Sequence, residues 1–374
     1  MRIVTGLFLI SCVRVGSLNG MDQALRKGVR RTRWHTWMGG DLPSADRLGE
    51  VAALVALDDV RAVLREHHAL RKRKKTLRAL RGGLRVLILD GHEMRPSYLR
   101  CCDDCLTREV LCKDQTRIQY YHRYVLAYLL CEGGRLLLDV EMQRKGEGEI
   151  SAATRLLQRL LEHCPRAFNV VAGDALYLDP TLCKLLLNHK KDFIAVLKNE
   201  HRDLIKDFRS LLDFEDSPPL RLMHNRKYCS CHDIEGFSSW TQLETQVRVV
   251  RSEETGTVRR HRTKEEETCT TEWLWATSLS QKRADTAMIL QLGHDRWDIE
   301  NPGFNELVNQ WHADHMFHHQ PNAIAVILLL LFLAYNLFHV WLERGMKLQL
   351  RERYTMAHFA RLIAAEFYHA LHPT

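Results

Sequence analysis

Arg85-Val86-Leu87-Ile88-Leu89-Asp90-Gly91 is a short apolar run ended by an acid and a glycine. Its brevity and its β-branched residues predict a buried strand, whose last side chain emerges at the edge of a sheet. The same form returns at Phe168-Asn169-Val170-Val171-Ala172-Gly173-Asp174. Between the two, Ile150 to Cys164 carries Leu156, Leu157, Leu160 and Leu161 at helical spacing, and Pro165 stops it. A strand reached through such a helix joins by a right-handed crossover and is expected to lie parallel to its neighbour. Asp90 and Asp174 would then stand at one end of one sheet.

Tyr120 to Leu130 and Arg135 to Met142 read as two more strands, and Gly133-Gly134 between them makes a hairpin turn, so this pair is antiparallel. After Asp174 come a helix over Pro180 to His189, a strand over Phe193 to Lys198 and a helix over Arg202 to about Leu212. Three strands, helix, strand, helix, strand is the order of an RNase H-like core. The expected class is therefore α/β, an RNase H-like mixed sheet flanked by helices. Ahead of it, residues 1–80 read as helical: Ser44 can cap a helix whose Leu48, Val51, Leu54, Leu57 and Val60 recur at helical spacing. After it, Ser217-Pro218-Pro219 breaks the pattern, and Thr245 to Val250 and Glu272 to Thr277 are rich in strand-forming residues. Residues 213–278 are read as a β-rich insertion. The chain is expected to divide into a helical region at 1–80, a first part of the core at 81–212, the insertion, and C-terminal helices at 279–374 that complete the core.

The chain has 374 residues, 45% of them hydrophobic and 27% charged, which excludes a disordered polymer and allows a sizeable core. Lys plus Arg exceeds Asp plus Glu by 54 − 46 = 8, which suits a polyanionic partner, either nucleic acid or a membrane surface. Eleven cysteines, an odd number with near neighbours such as Cys101-Cys102 and Cys229 with Cys231, read as reduced thiols of a cytosolic protein. Met1 to Val13 has the charge and apolar run of a signal peptide, but Arg14 closes it without a small-x-small cleavage site. Ala323 to Leu337 is almost wholly apolar yet shorter than the roughly 20 residues that span hydrocarbon. It is read as a buried helix, with no membrane partner.

The chemistry centres on Arg296-Trp297-Asp298-Ile299-Glu300-Asn301, where Glu300 follows Arg296 by four positions and so shares its helical face. Asp90, Asp174 and Glu300 give three carboxylates that can converge at one sheet end. Hard divalent ions such as Mg²⁺ or Mn²⁺ take such oxygens. Two of them about 4 Å apart can hold both the attacking and the leaving oxygen of a phosphodiester. Pro302 costs about 3 kcal/mol inside a helix unless it falls in the first turn, so Asn301 is read as a cap with Glu300 just before the helix. Asp139 and Glu141, two apart on a strand, are rival carboxylates.

Other motifs stay open. Arg71, Lys72, Arg73, Lys74 and Lys75, with Arg78 and Arg81, can grip phosphates or form a solvated face. His312, His315 and His319 fall at helical spacing with Asp314 nearby, as metal ligands or as polar surface. Cys102-Asp103-Asp104-Cys105 has the gap of a zinc half-site, with Cys101 and Cys112 close, but no second CxxC follows and buried unliganded thiols are the simpler reading. His122 could stand beside the metals or pack in a strand. Trp297 either stacks on a base or anchors its helix in the core.

Leu89-Asp90-Gly91-His92-Glu93, Gly173-Asp174-Ala175-Leu176-Tyr177 and Arg296-Trp297-Asp298-Ile299-Glu300-Asn301 together resemble the DDE transposases of bacterial insertion sequences. The resemblance is to the group with a β-strand insertion before the catalytic glutamate, and it runs from about Arg14 to Phe338. It implies that Asp90, Asp174 and Glu300 form the acidic triad and hold two divalent ions. It also implies an enzyme that nicks transposon ends and drives the freed 3′-hydroxyl into target DNA. Arg296 matches the family's arginine four positions before the glutamate, and with Trp297 it is expected to contact DNA. A homodimer on paired ends and a bacterial, cytoplasmic, nucleoid-associated location are implied with it. Two positions depart from the pattern: Gly293 stands where tyrosine is usual and Leu307 where lysine is usual, which puts DNA-end contacts at the last helix in doubt. The alternative is a catalytically inactive, transposase-derived DNA-binding protein.

Overall fold

A computed structural model describes residues 2–25, 34–36, 39–41, 43–113, 115–132, 134–198, 202–214, 218–259, 266–297 and 299–368. In chain order the strands are β1 (Val86–Glu93), β2 (Leu106–Cys112), β3 (Gln115–Tyr121), β4 (Arg123–Cys131), β5 (Gly134–Met142), β6 (Val170–Gly173), β7 (Asp192–Val196), β8 (Leu220–His224), β9 (Lys227–Phe237), β10 (Val247–Arg259) and β11 (Glu266–Thr277). Nine of them form one mixed sheet in the order β5-β4-β1-β6-β7-β11-β10-β9-β8, and β2 pairs with β3 outside it. β1 is buried from Val86 to Leu89 and only partly exposed from Asp90 on, as its apolar run and terminal acid predict. It is antiparallel to β4 and parallel to β6, and β6 is parallel to β7. The mixed α/β sheet expected from the sequence is therefore the fold.

The helices are α1 (Arg2–Cys12), α2 (Leu18–Leu25), α3 (Ala45–Leu54), α4 (Leu57–Arg73), α5 (Glu149–His163), α6 (Pro180–Asn188), α7 (Arg202–Phe214), α8 (Thr286–Asp295), α9 (Asn305–Trp311) and α10 (Pro321–Gly345), followed by α11 (Leu348–Arg353) and α12 (Met356–Tyr368). Alternation along β1 feeds two cores. Val86 and Ile88 join one with α1, α3 and α10, while Leu87 and Leu89 join the other with α5, α6 and α7. Ser44 caps α3 by accepting from the Arg47 amide. The signal-peptide-like segment is α1, with Leu7 and Ile10 buried in the first core.

α10 runs well past the apolar stretch read from the sequence and is long and apolar enough to cross a membrane by length and composition. It is nevertheless a core helix: Val326, Leu329, Phe332 and Tyr335 are fully buried, and it packs on α1, α3, α4 and β5. Its buried Asn336 has a structural use. Asn336 accepts from the Leu137 amide at 2.9 Å and donates to the Leu137 carbonyl at 2.8 Å. Those peptide groups lie beside an irregularity in the β4–β5 register, on the edge strand of the sheet.

The β-rich stretch after residue 213 continues the main sheet, because β11 pairs antiparallel with β7 through Trp275 and Val196. One expectation changes. Tyr120 to Leu130 is not one strand: β3 ends at Tyr121, His122 interrupts, and β4 begins at Arg123. The β2–β3 hairpin was hidden because its residues are mostly polar and exposed, without the apolar alternation that marks a strand packed on a core.

Candidate active site

The β1–β6 register pairs Ile88 with Ala172. Two residues further on, Asp90 and Asp174 leave neighbouring parallel strands at the same level, where strands run roughly 4.8 Å apart. Asp90 Oδ1 accepts from the Gly91 amide at 2.9 Å. β6 has already ended at Gly173, so Asp174 caps the short turn Ala175–Tyr177 and accepts from the Leu176 amide at 2.9 Å.

Arg296 ends α8 and points inward: it is 5% exposed, and its Nη1 stands 3.8 Å from Asp90 Oδ2. Its guanidinium also lies over the Trp297 ring at 4.6 Å, and that ring meets Trp273 edge-on at 6.1 Å. Trp297 is thus held by protein contacts and partly buried. Arg296 belongs to the carboxylate cluster more than to an outer DNA-facing surface.

Residues Ile299–Phe304 form a π-helical turn before α9. Pro302 lies within that turn, which corrects the reading of Asn301 as a cap and of Glu300 as a residue just before a helix. A π turn lengthens the hydrogen-bonded loop by one residue, which suits a position where proline has no N–H to give. The turn packs on β1, with Phe304 stacked on His92 at 4.6 Å and Ile299 fully buried. The backbone of Glu300 is in this turn; its side chain, like all of Asp298, lies outside the described residues.

One carboxylate at the site escaped the sequence reading. Glu149, in the Gly146-Glu147-Gly148-Glu149 stretch taken as a loop, is the first residue of α5. The Tyr177 hydroxyl donates to its Oε1 at 2.8 Å. A side chain at Gly91 would collide with its carboxylate, so glycine beside Asp90 is what lets Glu149 in. Burial raises the Glu149 carboxyl, and the like charge of Asp174 adds to the rise. The Tyr177 hydroxyl is held far above its ordinary range by burial and by facing Glu149, Asp90 and Asp174. An acid in the first turn of the helix leaving the third sheet strand was the available signal.

The donor set is all oxygen and densely negative, with Arg296 as the cation in contact with it. Such a set suits hard divalent ions such as Mg²⁺ or Mn²⁺.

Other candidates resolve differently. Asp139 bonds Arg61 at 3.2 Å and Arg159 at 2.7 Å, and Glu141 bonds Arg155 at 3.0 Å and Arg159 at 2.8 Å. They form an ion-pair network on the edge strand β5 and do not replace a member of the triad. Arg71 is turned into the protein and pairs with Glu343 at 3.0 Å, so it leaves the basic patch; Lys72, Arg73, Lys74 and Lys75 remain exposed. His312, His315 and His319 are not on a helix, because α9 ends at Trp311 and His312 is left-handed (φ 56°). Both departures near Glu300 have steric causes. The indole of Trp275 fills the space a side chain at Gly293 would need, and Leu307 is fully buried, where a lysine would have to shed its hydration.

The family model described as the transposase DDE domain matches residues 81–337. The chain belongs to the DDE transposase family. The matched span opens just before β1 and ends inside α10, so it takes in the whole nine-stranded sheet, Asp90, Asp174 and Glu300. Membership makes the chain a DNA-acting protein of transposition and recombination, with nuclease and strand-transfer chemistry as the family's business. No curated protein matches it.

Proposed function

We propose that this DDE transposase cleaves the ends of its element and joins them to target DNA by two-metal phosphodiester transfer, with Asp90, Asp174 and Glu300 as ligands. The observation that carries the reading is the β1–β6 register, which sets two aspartates side by side at one end of the sheet, with Glu149 against them. Two Mg²⁺ or Mn²⁺ ions, when bound, would activate the attacking oxygen and neutralise charge on the leaving one. The chain's own groups do the rest. Asp90 presents its oxygens from within β1, and Asp174 from just after β6. Tyr177 fixes the orientation of Glu149. Arg296 keeps a positive charge beside Asp90, where a phosphate would arrive. Lys72, Arg73, Lys74 and Lys75, at the end of α4, offer exposed cations to the DNA backbone, and each phosphate contact makes binding more salt-sensitive.

In this reading residues 1–80 serve DNA binding, 81–212 and 279–374 form the catalytic core, 213–278 is a β-rich insertion, and the element is a bacterial insertion sequence of the β-insertion group. Two copies act on paired ends in the cytoplasm, at the nucleoid. The test is cleavage of terminal-repeat DNA with Mg²⁺ or Mn²⁺ by the wild type and by Asp90→Ala, Asp174→Ala and Glu300→Ala. Each variant is expected to bind DNA and fail to cut. Full activity in all three sinks the proposal, and a wild type that binds ends but never cuts them marks an inactive descendant instead.

A further inference from the structure

Three side chains outside the carboxylate cluster converge where transposition chemistry makes no use of them. Cys102 and Cys105 precede β2, and His122 is the single residue between β3 and β4. Folding the β2–β3 hairpin brings all three together. The sulfurs of Cys102 and Cys105 are 3.3 and 3.4 Å from His122 Nε2 and 3.6 Å from each other. A tetrahedral zinc ion, with bonds of about 2.3 Å to sulfur and about 2.0 Å to nitrogen, needs S···S edges of about 3.8 Å and S···N edges of about 3.5 Å. The three donors outline one face of that tetrahedron to within about 0.2 Å. Cys105 and His122 are each 2% exposed, so their packing holds the face in place.

We propose that Cys102, Cys105 and His122 bind a structural zinc ion. Thiolate and imidazole are soft donors that select zinc over Mg²⁺, whereas the carboxylates around Asp90 make the opposite choice. The two sites would therefore take different metals from the same solution. One tetrahedral position remains. Among the described residues no fourth donor joins Cys102, Cys105 and His122 within 4.8 Å of one another, so water is the occupant of the fourth position.

The hairpin shows why a staple is useful. A two-stranded hairpin is marginal without a core, and β2 and β3 bury little beyond Leu106 and Tyr120's neighbour Gln119. Leu99, Leu111 and Ile118 are exposed. An ion shared by Cys102, Cys105 and His122 ties the segment before β2 to the start of β4, and so to the main sheet.

The experiment uses the full chain without a histidine tag, loaded with Zn²⁺ and dialysed into Mg²⁺ buffer, then exchanged with Co²⁺. About one zinc per chain is expected, with the near-ultraviolet charge-transfer band that cobalt shows only with thiolates. Cys102→Ser with Cys105→Ser should abolish the band, while Asp90→Ala with Asp174→Ala should retain it. Absence of a thiolate–cobalt band in the wild type overturns the proposal, and so does a band that survives in full in the double serine variant. If that variant does not fold, the wild-type spectrum still decides. Chelation of the zinc should also speed tryptic cleavage at Arg100, Arg108 and Arg117 by at least about tenfold, because local opening sets that rate. Unchanged cleavage would remove the stapling role.

Discussion

Glu149→Gln separates a carboxylate that serves the metals from one that merely opens a helix. The swap keeps volume and still accepts the Tyr177 hydrogen bond through its amide oxygen, but it loses the charge and one acceptor that faces the Gly91 amide. In the metal-free protein burial first, and then the like charge of Asp174, disfavour the Glu149 charge, while the helix N-terminus favours it by about 0.3–1 kcal/mol. Removing the charge should therefore cost less than about 1 kcal/mol of stability without metal. With metal the balance is different. Even in water's dielectric, one charge acting on a divalent ion across about 5 Å contributes roughly 1.7 kcal/mol, so affinity should fall at least about tenfold. The assay is urea or thermal unfolding with and without Mn²⁺. At about 100 times the wild-type Kd, binding adds about 2.7 kcal/mol to the wild type and about 1.4 kcal/mol to a variant tenfold weaker. If Glu149→Gln gains as much from Mn²⁺ as the wild type does, the carboxylate is a helix-opening residue and its assignment to the site is wrong.

Asn336→Leu should cost roughly 2–5 kcal/mol, because it keeps the side chain's size but strands the buried amide and carbonyl of Leu137; a loss under about 1 kcal/mol in urea unfolding would show that water or the strand ladder satisfies them instead. The protein should also lose stability in mild acid through His68. Burial, with Lys72 next in effect, lowers this imidazole to about 4 in the folded protein. Between that value and the ordinary 6.5 the unfolded chain binds a proton that the folded chain does not, so stability falls as pH falls, by up to about 2 kcal/mol from pH 7 to pH 5. His68→Leu should flatten that part of the pH profile, and an unchanged slope would assign the loss to other groups.

Asp90 and Asp174 were legible because a short apolar run ending in acid has few interpretations, and a crossover helix fixes the relative direction of the two strands. Arg296 was legible as a partner of Glu300 by spacing, but its contact with Asp90 was not, since nothing in the chain says how far α8 leans over β1. Arg71 could have been found. Val60, Leu64, His68 and Arg71 share the buried face of α4, so one cation of the basic run is in phase with the core. Five adjacent charges disguised that phase. The histidines after α9 failed for the opposite reason: their helical spacing was real, but a left-handed residue at His312 had already ended the helix. Glu149 was missed despite opening a helix after a sheet strand, because a glycine-flanked acid reads as exposed until the sheet shows that α5 begins beside Asp90.

The insertion is the element whose meaning changed most. In the sequence it only separates Glu300 from the strands it completes. In the fold, β10 and β11 hold α8, the helix that leads to Arg296 and Glu300. Arg248 on β10 is 3% exposed and donates to the carbonyls of Leu279 at 3.1 Å and Ala284 at 2.7 Å, gripping the approach to α8 from below. Asp233 on β9 holds the same guanidinium and accepts from Thr286, the first residue of α8. Further along, Trp275 on β11 packs against Gly293, and Glu254 on β10, 1% exposed, bonds His294 at 2.6 Å. Contacts therefore recur at the start of the helix and two to three residues before Arg296. A larger side chain at Gly293 would push on Trp275 and tilt α8, moving Arg296 off Asp90 without touching any carboxylate. The glycine that departs from the family pattern is thus the point at which β11 and α8 are fitted to each other.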